Sequence, residues 1–290
     1  MYKIGKLNTS VGLSTFCNAK CPQCHRTNPR GLDKAPWLPL VNWDFAGFKK
    51  AFPPEKMKLF NEIQLCGTWG DPVMNKDIAE ICEYIASHDV DIKLNTNGSI
   101  RDEDWWFELG VACGKRLQVC FTVDGHTQES HELYRRNTSL QKILDNMESL
   151  SYTLASIKAM TIRFKHNEPY LKDIQKLVKD RGAQGWTGIV SNRFNMKGMD
   201  EVWQGYIPKF DYIYKGKLYT LEEVPDLSEP YLNVWFGPGR ATNWNDRNQK
   251  KYGVEILGHK HEIHSLKQQA DANKKEKREV TYSMGWQREI

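Results

Sequence analysis

The feature that most constrains this chain is an alternation of strand-like and helix-like segments running from Val11 to Ser191. Apolar, β-branched stretches at 11–16, 62–67, 91–95, 116–123, 156–164 and 186–191 read as strands. Helical spacing falls between them: 43–52 after a capping Asn42, 76–87 with Ile78, Ile81, Cys82 and Ile85 on one face, then 102–109, 140–150 and 171–181. Asn97-Gly98 and Asp124-Gly125 are turn signals that end two of the strands. Strands alternating with helices of this length predict an α/β fold, with parallel strands joined by crossover helices. Asn97, Asp124, His166 and Asn192 lie just past strand carboxyl ends, the edge at which α/β folds place their active sites.

The alternation fades after about residue 192. A hairpin is predicted over 210–221, turning at Lys215-Gly216, and 225–238 reads as a stretch broken by prolines. The 290 residues suit one large domain with an appendage: a core over 1–192 and a C-terminal α+β extension or cap over 193–290. Residues after Leu266 are polar and charged. There Lys274, Lys275, Lys277 and Arg278 supply much of the net charge of +5, as a solvated tail or as a nucleic-acid contact. His259, His261 and His264 look like a metal cluster, but no cysteine or acidic motif completes one, and a solvated surface is the better reading. No apolar run has the length of a membrane span, and 1–7 does not read as a signal peptide, so a cytoplasmic location is expected.

Thiols stay reduced in that compartment, so seven cysteines point to metal or catalytic use of a cluster of them rather than to disulfides. The cluster is Cys17, Cys21 and Cys24, directly after the first strand. Three thiolates on one loop can face one centre, and thiolates are the soft ligands that iron–sulfur clusters require. On a four-iron cluster they would leave one iron open for a small molecule. Three rival readings stay open. Cys21-Pro22-Gln23-Cys24-His25 fits c-type haem attachment, but leaves Cys17 unexplained. Cys17, Cys21, Cys24 and His25 could form a structural zinc site, although adjacent Cys24 and His25 do not easily face one ion. The three could also be inert buried thiols. Cys66, Cys82, Cys113 and Cys120 are scattered, and core packing is expected for them. Trp105-Trp106 opens a helix, where one ring can face the core while the other packs under a loop.

The C-x3-C-x2-C spacing after a first strand resembles the radical S-adenosylmethionine (SAM) superfamily. Other stretches agree in order. Gly67-Thr68-Trp69-Gly70-Asp71-Pro72 resembles that family's Gly-Gly-Glu-Pro segment, and Thr96-Asn97-Gly98 its T-N-G turn. Thr122-Val123-Asp124-Gly125 is similar to the S-x-D-G stretch of members that modify peptides and proteins. The resemblance covers residues 11–191. It implies a partial (β/α)6, TIM-like barrel and a 4Fe–4S cluster on Cys17, Cys21 and Cys24 whose open iron binds SAM. Reductive cleavage of SAM would release a 5′-deoxyadenosyl radical that takes a hydrogen atom from the substrate, with electrons from a donor such as flavodoxin or ferredoxin.

Carried over residue by residue, Gly70, Asp71 and Pro72 would meet the SAM amino group. Asn95, Thr96 and Asn97 would lie by the ribose and carboxylate, Gln23 would meet the adenine through its backbone, and Thr122 would lie near SAM or substrate. Asp124 would act as a catalytic base, although Asp-Gly is a turn signal in any protein. Two positions depart from the family pattern: Gln23 stands where an aromatic is common, and Asp71 is shorter than the usual Glu. No cysteine follows Cys120, so the C-terminal region lacks cysteine ligands for further clusters. The expected substrate is a peptide, a protein or a small metabolite. A nucleotide or RNA substrate and a non-enzymatic zinc-stabilised binding module are the alternatives.

Overall fold

The computed structural model describes residues 6–194, 208–225 and 228–238. Its elements run β1 (Leu7–Val11), α1 (Phe45–Ala51), α2 (Pro54–Met57), β2 (Phe60–Leu65), α3 (Ile78–Ser87), β3 (Asp91–Thr96), α4 (Glu103–Cys113), β4 (Leu117–Thr122), α5 (Gln128–Glu132), α6 (Leu140–Leu150), β5 (Ser156–Arg163), α7 (Leu171–Asp180), β6 (Gly185–Val190), β7 (Lys209–Tyr214), β8 (Lys217–Glu222) and β9 (Tyr231–Trp235). The predicted alternation is present, with shifted edges. β1 ends at Val11, where the sequence reading began it, and the apolar residues that follow belong to the loop leading to the cysteines. α1 is capped by Asp44, whose carboxylate accepts from Gly47 N at 2.6 Å, and not by Asn42.

Strands β1 to β6 lie side by side in chain order, all parallel, and β9 adds an antiparallel strand beside β6. Consecutive parallel neighbours joined by crossovers of one hand put every crossover helix on the same face, which is barrel topology rather than a doubly wound sheet. The strand patterns fit. Ile63, Leu65, Ile92, Leu94, Val119, Phe121, Ile157 and Ala159 are buried in the apolar core, together with Ile81 and Ile85 of α3, Trp106 and Leu109 of α4, and Ile143 and Met147 of α6. Each buried Val, Leu, Ile, Phe or Met among them contributes about 1.5–3 kcal/mol by leaving water. The alternate positions, Gln64, Lys93, Asn95, Gln118, Cys120 and Lys158, are only half-buried and face the inside of the curved sheet.

Cys82 and Cys113 pack in the core as expected. Cys66 and Cys120 do not: both sit on the inward parity of the sheet and are only half-buried. Lys158, the register partner of Cys120, lies close enough to oppose the rise that burial gives the Cys120 thiol, to about 11. Trp106 is fully buried, and Trp105 packs edge-on to it at 4.9 Å.

The stretch 225–238, read as broken, contains β9, so this part of the chain contributes a strand to the main sheet. The hairpin β7–β8 turns at Lys215-Gly216 with φ of 49° and 75°, the two-residue geometry whose twist suits a hairpin. Phe210, Tyr212 and Leu221 of this hairpin form a second, smaller core with Ala19, Cys21, Leu32, Tyr134, Phe164 and Phe194. Elements on both sides of residue 192 therefore pack on the cysteine loop. The histidine trio, the basic run and the segment after Leu266 lie outside the described residues. Among the described residues, no helix is long and apolar enough to cross a membrane.

Gly98 has φ of 77°, and a Cβ there would meet Phe121 Cδ1 at 2.5 Å and Ile143 Cγ2 at 3.1 Å. Gly98→Ala combines a left-handed backbone with overpacking, so a loss of about 2–4 kcal/mol is expected in urea unfolding. An unchanged midpoint would mean that the turn is not held as described.

Candidate cofactor site

Three loops meet at the carboxyl edge of β1 to β3. The loop after β1 carries the cysteines and is wound on itself. Cys24 N donates to Cys21 O at 3.1 Å, and Thr27 Oγ1 donates to Cys21 O at 2.6 Å and Cys24 O at 2.9 Å. Arg26 fastens it to the loop after β2, donating to Trp69 O at 3.0 Å and to Thr15 O at 3.1 Å. Gly70 lets the two backbones touch: a Cβ there would lie 2.3 Å from Ser14 O and 2.6 Å from Phe16 O. Asp71 N then donates to Phe16 O at 2.8 Å.

The Asp71 carboxylate is buried and accepts from Val73 N at 3.0 Å, Thr96 Oγ1 at 3.0 Å, Asn97 N at 2.7 Å and Asn97 Nδ2 at 2.8 Å. Its acceptor sites are filled by the protein, so it ties the segment after β2 to the turn after β3. Burial raises its pKa, while the N–H groups of Asn97 and Val73 oppose the rise. Pro72 is buried and opens the short turn Pro72–Met74 that Asp71 caps. Asn97 reaches the first loop through Asn18 Oδ1 at 2.8 Å, and its Nδ2 lies 3.9 Å from Cys17 Sγ. Thr122 Oγ1 donates to Thr96 O at 3.3 Å. Asn95 stands one step deeper on the inner face, beside Cys120. Gln23 is fully buried. Its Oε1 accepts from Ser191 Oγ at 2.8 Å, its backbone carbonyl accepts from Arg193, and its Nε2 has no hydrogen-bond partner among the described residues.

Asp124, fully buried, is engaged on both oxygens: Oδ2 pairs with Arg135, and Oδ1 accepts from Ile162 N at 2.5 Å. Arg135 in turn donates from Nη1 to Cys21 Sγ at 3.5 Å. The sequence reading missed Arg135, His131 and Arg26, because long-range partners of a loop carry no spacing signal.

The donor set suits an iron–sulfur cluster. Burial, the largest effect, holds the Cys17 and Cys21 thiols well above their usual range, and neighbouring acids or thiols add to it. Metal cations that convert them to thiolates would relieve that cost. Among the described residues, no three His, Cys, Asp or Glu side chains converge on a single ion. A cluster does not require this, since each thiolate meets a different iron.

His131 adds a pH dependence. Its Nδ1 accepts from Asp124 N at 3.1 Å, so Nε2 carries the proton and faces Thr138 Oγ1 at 3.0 Å. Burial, aided by the Arg135 charge, lowers its pKa to about 3, and burial lowers that of His166 to about 4. Unfolded histidines take up protons below about 6.5 while the folded ones do not, so stability is lost as pH falls from there toward about 3. His131 alone is expected to cost about 1.4 kcal/mol at about pH 5.5. In urea unfolding, His131→Gln should start less stable near neutrality and lose less on acidification; an equal loss would contradict the buried neutral ring.

No family profile matches the chain. It is 27% identical over 180 residues to a probable GTP 3′,8-cyclase of Thermococcus kodakarensis, covering 61% of this chain and 54% of the relative. It is 27% identical over 120 residues to an AdoMet-dependent heme synthase of Oleidesulfovibrio alaskensis, covering 41% and 30%. The chain thus spans about half or less of the curated relatives it matches. Streptococcus suis SuiB, solved with its precursor peptide SuiA and with S-adenosylmethionine, superposes with TM-scores of 0.54 and 0.53. Identity there is 10%, over 66–67% of this chain and 41% of SuiB, and this likeness speaks for the fold alone. The three-thiol loop, the barrel topology and the similarity to these relatives all point to the radical S-adenosylmethionine superfamily.

Proposed function

We propose that this chain is an enzyme that holds a 4Fe–4S cluster on Cys17, Cys21 and Cys24 and cleaves S-adenosylmethionine reductively to act on a peptide, a protein or a small metabolite. The observation that carries the reading is the meeting of three loops around the thiols, braced by Asp71 and by the contact at Gly70. When bound, the cluster and SAM would supply an electron and a 5′-deoxyadenosyl radical that takes a hydrogen atom from the substrate.

The chain's own residues bind, orient and shield. Cys17, Cys21 and Cys24 would hold the cluster and would leave one iron for the amino and carboxylate groups of SAM. The segment Gly70, Asp71 and Pro72 and the turn at Thr96 and Asn97 would frame that end of the molecule, with Asn95 and Thr122 beneath. The Gln23 backbone would meet the adenine. Tyr134, Phe164 and Phe194 pack against the cysteine loop and limit water there. An electron donor of the flavodoxin or ferredoxin type would complete the cycle. The Thr122 to Gly125 stretch favours a peptide or protein substrate.

A nucleotide or RNA substrate is the second reading, and one observation favours it. Lys93 on the inner face is paired with Glu62 at 2.8 Å, whereas Lys158, beside Cys120, has no ion pair with a carboxylate among the described residues. An ammonium group so placed suits an anionic substrate. Truncation after Leu266 should weaken RNA binding if the basic tail takes part, and unchanged affinity would remove that part of the reading.

The decisive experiment is anaerobic reconstitution with iron and sulfide, followed by assay for 5′-deoxyadenosine under a strong reductant. A brown protein that releases it is expected. Cys17→Ala, Cys21→Ala and Cys24→Ala should each lose cluster and product, while Cys82→Ala keeps both. A colourless protein that binds zinc and no iron would instead establish the binding module.

A further inference from the structure

We infer that Arg135 sets the reduction potential of the cluster held by Cys17, Cys21 and Cys24, with Asp124 as the counter-charge that limits its effect. The inference rests on the cluster reading above and goes beyond it to a residue to which that reading gives no role.

The geometry is specific. The Arg135 guanidinium donates from Nη1 to Cys21 Sγ at 3.5 Å and from Nε to the Asp124 carboxylate. Its side chain is 13% exposed and lies over the Tyr134 ring, 5.1 Å from the centroid. Asp124 is held from three sides: Ile162 N on its other oxygen, His131 Nδ1 on its backbone N–H, and Asn167 Nδ2 on its carbonyl at 2.9 Å. A carboxylate fastened in this way is placed to hold Arg135 rather than to move a substrate proton. Among the described residues, the other arginines around the loop act on oxygen: Arg26 on backbone carbonyls, Arg193 on Gln23 O, and Arg136 on Tyr212 Oη.

Reduction adds one electron to the cluster and breaks no bond. A fixed positive charge with an N–H on a ligating sulfur favours the more negative, reduced state and raises the potential. The effect is strong where water is scarce, and the adjacent carboxylate cancels part of it. Hydrogen bonds to the sulfurs are an established lever on cluster potential. The two residues should therefore act with opposite signs.

The test is the potential of the reconstituted full chain, followed by electron paramagnetic resonance during reductive titration, with iron content measured on each sample. Arg135→Gln should make the reduction equilibrium about tenfold less favourable, a shift of about 59 mV for one electron. Arg135→Lys, which keeps the charge, should shift it less, and Asp124→Asn should shift it upward. If Arg135→Gln takes up no iron, the Lys and Asp124→Asn variants carry the measurement. A full cluster whose potential ignores Arg135, or Asp124→Asn shifting downward with Arg135→Gln, overturns the inference and leaves the cluster reading intact. A wild-type chain that takes up no iron overturns both.

Discussion

One buried carboxylate holds the mouth of this barrel together. Taking Asp71 out of water would cost several kcal/mol if it stood alone, and donors from Val73, Thr96 and Asn97 offset that cost. Those donors come from the segments after β2 and β3, so the cost is offset only when both loops are in place. Asn97 extends the network to Asn18 in the cysteine loop, and the bare Gly70 backbone lets that loop lie against its neighbour. Each loop is positioned by the other two, and the thiols inherit their placement from all three.

The sheet below the mouth has two unlike faces. A parallel sheet buried on both sides reads as continuous apolar runs. Here β2 to β5 alternate over most of their length, with apolar residues under the helices and Gln64, Lys93, Asn95, Gln118, Cys120 and Lys158 on the other side. Half-buried amides, thiols and one paired lysine do not make an apolar core. They make a lining that a polar molecule can wet or occupy, directly beneath the edge where the three loops meet. On the proposed function, the chemistry would sit at the rim and recognition along the wall.

How much of this was legible follows from the range of each signal. Periodicity is local, so the six parallel strands and their helices could be read, and the cysteine triplet with the Thr96-Asn97-Gly98 turn stood out by spacing. Edges slipped where apolar residues serve a loop: Leu13 is buried yet lies beyond β1. β9 was hidden because its proline-rich flanks read as a broken stretch. The inward cysteines were misread because a cysteine in a strand looks the same on either face, and only the register shows Cys120 opposite Lys158. Arg135 lay beyond any local pattern, since its partners are 11 and 114 residues away.

Charge explains why those distant partners belong together. Three ligating thiolates, Asp71 and Asp124 would crowd negative charge into a region with little water. The raised thiol pKa values record that cost in the protein alone. Arg26, Arg136 and Arg193 brace the walls through neutral oxygens, which leaves Arg135 as the arginine that donates to a thiol. The His131 ring beside it stays neutral and accepts the Asp124 N–H, adding no second cation. A cationic core that changes its charge by one electron would sense the guanidinium that donates to its ligand more than the arginines that donate to neutral oxygens.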